Sequence, residues 1–227
     1  MKVPFPPPIQ KAGRWDETTQ RGTTHLTERK NPMPKPLSEL SLEELWDLFP
    51  ILLKEYNPAY PLWYEEERCS LLGCVGEENV ERISHIGSTA VPGLLAKPTV
   101  DILLELSPGC DWARQKHALE GAGWTLMSEE YGPESRLSFN KGYTPEGFAE
   151  QVFHLHVRRP GDWDELYFRD YLETHPEAAE EYAALKQSLW NAYEHDRDGY
   201  THAKTEIVKR FTQLARAELG PRYLPKN

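Results

Sequence analysis

The chain has 227 residues, 39% of them hydrophobic, which is enough for one sizeable core. Its formal net charge of −10 argues against nonspecific nucleic-acid binding, because phosphate backbones attract positively charged surfaces. No apolar run approaches the ~20 residues of a bilayer-spanning helix, and the start M-K-V-P-F-P-P-P does not resemble a signal peptide, so we expect a cytoplasmic protein without membrane contact.

Composition divides the chain into three parts. Residues 1–36 are rich in proline and polar residues and lack a sustained apolar period, which predicts a flexible arm. A single domain is expected over 37–220, followed by a short tail over 221–227. At the start of this domain, Ser41 followed three residues later by Glu44 predicts a capped helix.

Hydrophobic periodicity predicts the elements that follow. They are a strand over 51–56, a helix over 61–74, strands over 81–86 and 99–106, a helix over 111–124, and strands over 124–127, 136–143 and 148–158. The last third is helical, with a capping box expected from Asp162 and Glu165 and apolar stripes over 178–193 and 207–215. Strands grouped in the middle with helices around and after them indicate an α/β (α+β) fold.

Three of these strands each have one polar side. Alternate residues of a strand face opposite sides, so Asp101 projects from the polar side of 99–106, and His154, His156 and Arg158 project from that of 148–158. On the strand over 136–143 the polar side carries Arg136, Ser138 and Asn140. One carboxylate and two imidazoles beside arginines suit a divalent cation and an anionic ligand. The alternative is a solvated sheet face on which the histidines are hydrogen-bonded to their neighbours.

A glycine-serine turn precedes the strand over 99–106, in H-I-G-S-T-A-V-P-G-L-L-A-K-P-T-V-D-I. Gly87 lets backbone N–H groups approach a phosphate closely, and the Ser88 hydroxyl adds a donor. The segment is not a Walker A loop, since G-x-x-x-x-G-K-[ST] is absent.

This segment resembles the signature of the GrpB family, within the polymerase-beta-type nucleotidyltransferase superfamily. The resemblance runs from about residue 51 to about 211, through Y-N-P-A-Y-P-L-W, H-L-H-V, F-R-D-Y-L-E-T-H-P-E-A-A-E-E-Y-A-A-L-K and Y-T-H-A-K-T-E. It implies a small mixed sheet with helices on one face, a nucleotide cleft on the other, and a helical carboxy-terminal part. It also implies transfer of a nucleoside monophosphate from a nucleoside triphosphate to an unknown small-molecule or protein acceptor, with Mg²⁺ or another divalent metal.

The resemblance implies a role for each candidate site residue. Gly87 and Ser88 would cradle the triphosphate, Asp101 would bind the metal, and His154 and His156 would complete the metal site or act as general base. Further phosphate contacts are expected from Lys97, Arg158, Lys186 and Lys204. For each of these basic residues, a solvated surface position is the alternative.

One position departs from the superfamily pattern of acid, apolar residue, acid. Leu103 stands where the second acid is expected, and Glu105 lies roughly 13 Å along the strand from Asp101, too far to share an ion. This favours an alternative function, a noncatalytic nucleotide-binding module that has lost its second metal carboxylate. A third hypothesis is a scaffold whose sheet face meets another protein.

Overall fold

A computed structural model of the protein describes residues 35–132 and 135–225, and seven α-helices and five β-strands lie in this part of the chain. Only the last two residues of the predicted arm fall within it. In chain order the elements are α1 (Leu42–Leu48), α2 (Tyr60–Val75), β1 (Val80–Ile86), β2 (Val100–Leu106), α3 (Trp112–Gly121), β3 (Thr125–Glu130), β4 (Arg136–Thr144), β5 (Gly147–Arg158), α4 (Asp164–Thr174), α5 (Pro176–Tyr193), α6 (Arg197–Ala203) and α7 (Thr205–Leu219).

The five strands form one mixed sheet in the order β1-β2-β5-β4-β3. Only β2 and β5 run parallel, and the other three pairings are antiparallel. The predicted α+β class and mixed sheet are therefore confirmed. None of the helices within 35–132 and 135–225 is sufficiently long and apolar to cross a bilayer.

The main core lies on the face of the sheet that α2 and α3 cover. Ile102 and Leu104 of β2 are fully buried there against Tyr60 and Leu71 of α2 and Leu119 of α3. Each such side chain contributes about 1.5–3 kcal/mol when it is removed from water. Alternation along β2 consequently turns Asp101 toward the opposite face.

The helical carboxy-terminal part packs on that opposite face. Leu103 is fully buried against Ile86 and against Leu166 of α4. A second cluster joins the loop after β1 to the helices, and it includes Val91, Leu94, Phe168, Tyr182 and Phe211. The loop that carries Gly87 and Ser88 is thereby fixed between the sheet and α4, α5 and α7.

Two local predictions were wrong. The segment 51–56 is not a strand: Lys54 makes one isolated bridge to Ala96, and the backbone of Ile51 bonds instead to the end of α5, accepting from Trp190 Nε1 at 2.7 Å. The capping box at Asp162 does not form, because that carboxylate accepts hydrogen bonds from Tyr167 and Arg216 and α4 begins after Trp163.

The capping box at the start of α1 is confirmed. The backbone N–H of Glu44 donates to Ser41 Oγ at 3.1 Å, and the backbone N–H of Ser41 donates to the Glu44 carboxylate at 2.8 Å. Helix α6 was not predicted.

Candidate active site

The register of the sheet brings the acid and the two histidines together. Asp101 of β2 lies opposite His154 of β5, and Leu103 lies opposite His156. Oδ1 of Asp101 is 3.2 Å from Nδ1 of His154 and 3.9 Å from Nε2 of His156. The shared polar face expected from strand alternation is thus present at this point of the sheet.

A tyrosine that the sequence analysis did not include completes this cluster. The hydroxyl of Tyr143 lies 2.8 Å from Nε2 of His154. A shift in the β4–β5 register between Lys141 and Tyr143 changes the alternation of β4. The signal was Gly142, because a glycine inside a strand marks a bulge; its φ is +89°, and a Cβ there would collide with the backbone carbonyl of Gln151.

The groups around Asp101 keep its carboxyl group ionised. Burial by itself raises the pKa of Asp101, but the hydrogen bond from His154 and the nearby imidazole of His156 outweigh it, so the pKa lies well below its usual range. Because a carboxylate can only accept, Nδ1 of His154 donates to Asp101, and Nε2 of the same ring is hydrogen-bonded to the Tyr143 hydroxyl. This series of hydrogen bonds fixes the orientation of the Asp101 carboxylate.

The glycine-serine turn passes directly beside this carboxylate. Gly87 has φ +73°, and a Cβ at this position would lie 2.5 Å from Oδ2 of Asp101. The Thr89 hydroxyl, which follows in a short 3₁₀ turn, donates to the carbonyl of Thr99 at 3.0 Å and lies 3.0 Å from Nε2 of His85. The turn is therefore tied to the start of β2, and only glycine fits at its closest approach to Asp101.

His85 supports the turn as a neutral ring. It stacks on Tyr64 with the ring centroids 4.9 Å apart. Burial, assisted by Arg169, lowers the pKa of His85 to about 4 although Asp101 opposes the shift. We therefore assign His85 a structural role.

A cavity of about 230 Å³ opens beside the turn and Asp101. We name it the lysine cavity because three lysines line it, together with Gly87 and Asp101. The side chains that define it are Ser88, Lys97, Lys186, Tyr200 and Lys204. Three lysines from distant parts of the chain thus line one cavity together with Asp101.

Lys186 and Lys204 are the most perturbed of these cations. Lys186 is 2% exposed, and its Nζ donates to Ser88 Oγ at 3.1 Å and to the carbonyl of Leu95. Burial, with a contribution from Lys204, lowers the pKa of Lys186 to about 7. Burial also lowers the pKa of Lys204 to about 8, against the opposing influence of Asp101. Two desolvated ammonium groups of this kind favour an anionic ligand, whose charge would restore their protonation.

Arg158 lies outside the lysine cavity. It lines a second cavity of about 610 Å³, with Trp163 and His156, and this cavity meets the first at Gly87, Asp101 and Phe168. Arg158 Nη2 lies 2.7 Å from the Glu165 carboxylate, and its guanidinium covers the Trp163 ring at 4.8 Å. The basic residues predicted as one phosphate-binding set are therefore divided between two adjoining cavities.

Comparison with known proteins identifies the family. Residues 50–214 match the family model described as GrpB protein. The chain belongs to the GrpB family. It is 39% identical over 168 residues to a UPF0157 protein of Pseudomonas aeruginosa, covering 74% of this chain and 67% of that one. It is 30% identical over 162 residues to the glutamate-rich protein GrpB of Alkalihalophilus pseudofirmus, covering 70% and 91%.

A solved structure agrees with this assignment. The crystal structure of the conserved protein GrpB from Enterococcus faecalis matches with a TM-score of 0.64 and 30% identity, over 74% of this chain and 98% of that one. The family expected from the sequence is confirmed. Its placement within the nucleotidyltransferase superfamily stays a prediction.

The magnesium ion that the resemblance implies has few donors in this GrpB chain. Leu103 is fully buried under α4, and Glu105 is 0% exposed, accepting from Arg82 Nη2 at 2.8 Å and from the backbone N–H of Gly161 at 2.8 Å. Both nitrogens of His154 already have partners. Over 35–132 and 135–225, no group of three or more His, Cys, Asp and Glu side chains is arranged to hold a metal. One carboxylate is a poor fit to an ion that prefers six oxygens.

Proposed function

We propose that this chain binds a nucleoside triphosphate with its phosphate tail in the lysine cavity and transfers the nucleoside monophosphate to an acceptor. The observation that carries the proposal is the convergence of Lys97, Lys186 and Lys204 with the Ser88 hydroxyl on a cavity whose wall includes Asp101. Ammonium and hydroxyl donors are the usual ligands of phosphate oxygens. The turn at Gly87 adds a close approach of backbone to the same space.

The reaction that this arrangement suits is an in-line displacement. The acceptor atom forms a bond to the α-phosphorus while the bond from that phosphorus to the oxygen of the β-phosphate breaks, and pyrophosphate leaves. The departing pyrophosphate gains negative charge within reach of the lysines, which stabilise it. The larger cavity meets the lysine cavity at Asp101 and would hold the acceptor.

His156 is the residue best placed to accept the acceptor's proton. It lines the larger cavity, and its Nε2 is 3.9 Å from Asp101 Oδ1, which would stabilise the imidazolium that forms. His154, held between Asp101 and Tyr143, is better placed as a positioning residue. The expected magnesium cofactor stays a prediction.

A second candidate function is a noncatalytic nucleotide-binding module. The buried Leu103 and the engaged Glu105 favour it, because together they leave Asp101 without a partner carboxylate on this strand. Leu103→Asp would bury a charge under Leu166. It is therefore a poor way to restore the missing acid.

The two functions are separated by measuring binding and pyrophosphate release on the same samples. Each of the common nucleoside triphosphates is titrated calorimetrically, with and without Mg²⁺, and then incubated with small amine, hydroxyl and protein acceptors. Release that is lost in His156→Gln while binding is retained supports transfer. Binding without release supports the module, and no binding under any condition refutes both.

A matched pair of lysine variants locates the binding. Lys204→Met removes one ammonium group from the cavity, and we expect it to weaken triphosphate binding by about tenfold or more, the loss of one charge-assisted contact. Lys209→Met removes an exposed lysine that pairs with Glu206 and should leave binding unchanged. Equal effects in the two variants would place the ligand elsewhere.

A further inference from the structure

We infer that the lysine cavity binds a polyphosphate group without a divalent cation, its charge being neutralised by Lys97, Lys186 and Lys204. The inference rests on the proposed function, since it concerns the ligand of the same cavity. Ammonium and hydroxyl groups would recognise the ligand by donating hydrogen bonds to its phosphate oxygens.

The cations are already held in place around the cavity. Lys186 Nζ is anchored by Ser88 and by the carbonyl of Leu95, and it lies 4.5 Å from the Tyr182 ring centroid. Lys204 Nζ lies 4.1 Å from the ring centroid of Tyr200. Aromatic faces hold an ammonium group without neutralising it, and the negative charge of a ligand would favour the protonated form of both lysines.

A buried tyrosine hydroxyl belongs to the same cavity. Tyr200 is 5% exposed and lines the cavity, and its hydroxyl has no hydrogen-bond partner among the residues that the structure describes. A buried donor without an acceptor is unfavourable. A phosphate oxygen in the cavity would accept this hydrogen bond, and an Mg²⁺ ion would not.

The cavity offers a cation few carboxylate groups. Asp101 Oδ1 faces His154, and its other oxygen faces the turn at Gly87. Leu103 and Glu105 supply no further carboxylate. An added divalent cation would meet one carboxylate and three ammonium groups, so repulsion would oppose its binding.

The first test compares metal-free and metal-containing solutions. The full chain is titrated calorimetrically with tripolyphosphate at pH 6.5, once in EDTA and once in excess MgCl₂. The dissociation constant in EDTA should be at most about three times that in MgCl₂, a difference in binding free energy below ~0.7 kcal/mol. Binding in MgCl₂ alone would overturn the inference and leave the proposed function standing. Failure to bind in both solutions would overturn both.

The second test uses the sign of one substitution. In a metal-free site Asp101 repels the phosphate, so Asp101→Asn should tighten tripolyphosphate binding in EDTA by a few-fold. In a metal-bridged site the same variant should weaken binding in MgCl₂ by about tenfold or more. The wild-type comparison in EDTA decides independently of whether this variant folds.

Tyr200→Phe tests the unpartnered hydroxyl. If the hydroxyl donates to the ligand, the variant should lose about three- to tenfold in affinity in EDTA, as expected for one hydrogen bond. Thr212→Val is the matched control, because the Thr212 hydroxyl is also buried, has no partner within 35–132 and 135–225, and lines the larger cavity instead. Unchanged affinity in Tyr200→Phe, or an equal loss in Thr212→Val, would contradict the assignment of Tyr200.

Discussion

Removing Arg82 should destabilise the protein strongly, because it leaves Glu105 as a buried charge. The Glu105 carboxylate is 0% exposed and accepts from Arg82 Nη2, from Arg82 Nε and from Gly161 N–H. Breaking a buried pair from one side costs about 3–5 kcal/mol. Since Arg82 is partly exposed, with 27% of its side chain accessible, we expect Arg82→Met to lose ~3 kcal/mol, the lower end of that range.

The measurement is urea unfolding, checked by the thermal midpoint. For a chain of this size a loss of ~3 kcal/mol lowers the midpoint by roughly 6 to 12 °C. The exposed pair Arg210–Glu181 provides a control, because Arg210→Met should cost less than about 1 kcal/mol. The double variant Arg82→Met/Glu105→Leu should recover most of the lost stability, since apolar replacement of a buried ion pair is often neutral.

A loss below about 1 kcal/mol in Arg82→Met would refute this reasoning. It would mean that Glu105 reaches water or another partner when Arg82 is removed. Glu105 would then be a carboxylate that can be recruited to the site, and the case against a metal ion beside Asp101 would lose one of its supports.

Three further predictions concern the site. Since the pKa values of Lys186 and Lys204 are lowered to about 7 and about 8, both are charged at pH 6 and largely neutral at pH 9; tripolyphosphate affinity should therefore fall as the pH rises, and an affinity that is constant from pH 6 to 9 would contradict this. Gly87→Ala should abolish pyrophosphate release, because the added Cβ would collide with the Asp101 carboxylate. The control is Gly93→Ala, since Gly93 has a similar φ of +77° but open space around it. This control should lower only the free energy of unfolding, by the backbone strain of about 1–3 kcal/mol. Tyr143→Phe removes the hydroxyl beside the imidazole of its neighbour on β5, so it should lower pyrophosphate release and shift its pH profile while costing about 1 kcal/mol of stability; an unchanged pH profile would remove Tyr143 from the site.

The parts of the site that local periodicity governs could be predicted. Strand alternation places Asp101, His154 and His156 on one face whatever the rest of the chain does, and the register of β2 and β5 then brings them together. Glycine chemistry likewise identified the turn at Gly87, which has positive φ and a close neighbour. The face on which each side chain lies and the turn at Gly87 depend on backbone geometry within a few residues.

The remaining features depend on contacts between distant segments. The segment 51–56 has strand-like composition, but its backbone bonds to the end of α5. Arg158 continues the polar side of β5, yet its pairing with Glu165 places it in the larger cavity. Tyr200 lies on α6, whose sequence R-D-G-Y-T-H-A has no apolar period to predict a helix. Position along the chain gave no indication of these contacts.

The acid and the cations of the lysine cavity are held by different layers of the molecule. Asp101 is held by the sheet, whereas Lys186 lies on α5 and Lys204 at the junction of α6 and α7, in the helical layer packed above it. An anion bound between the sheet and these helices would therefore contact both layers, and it would bind only while the two layers are packed together. At a hundred times its dissociation constant such a ligand would stabilise the closed arrangement by about 2.7 kcal/mol, so separation of the layers would become rarer as the ligand accumulates.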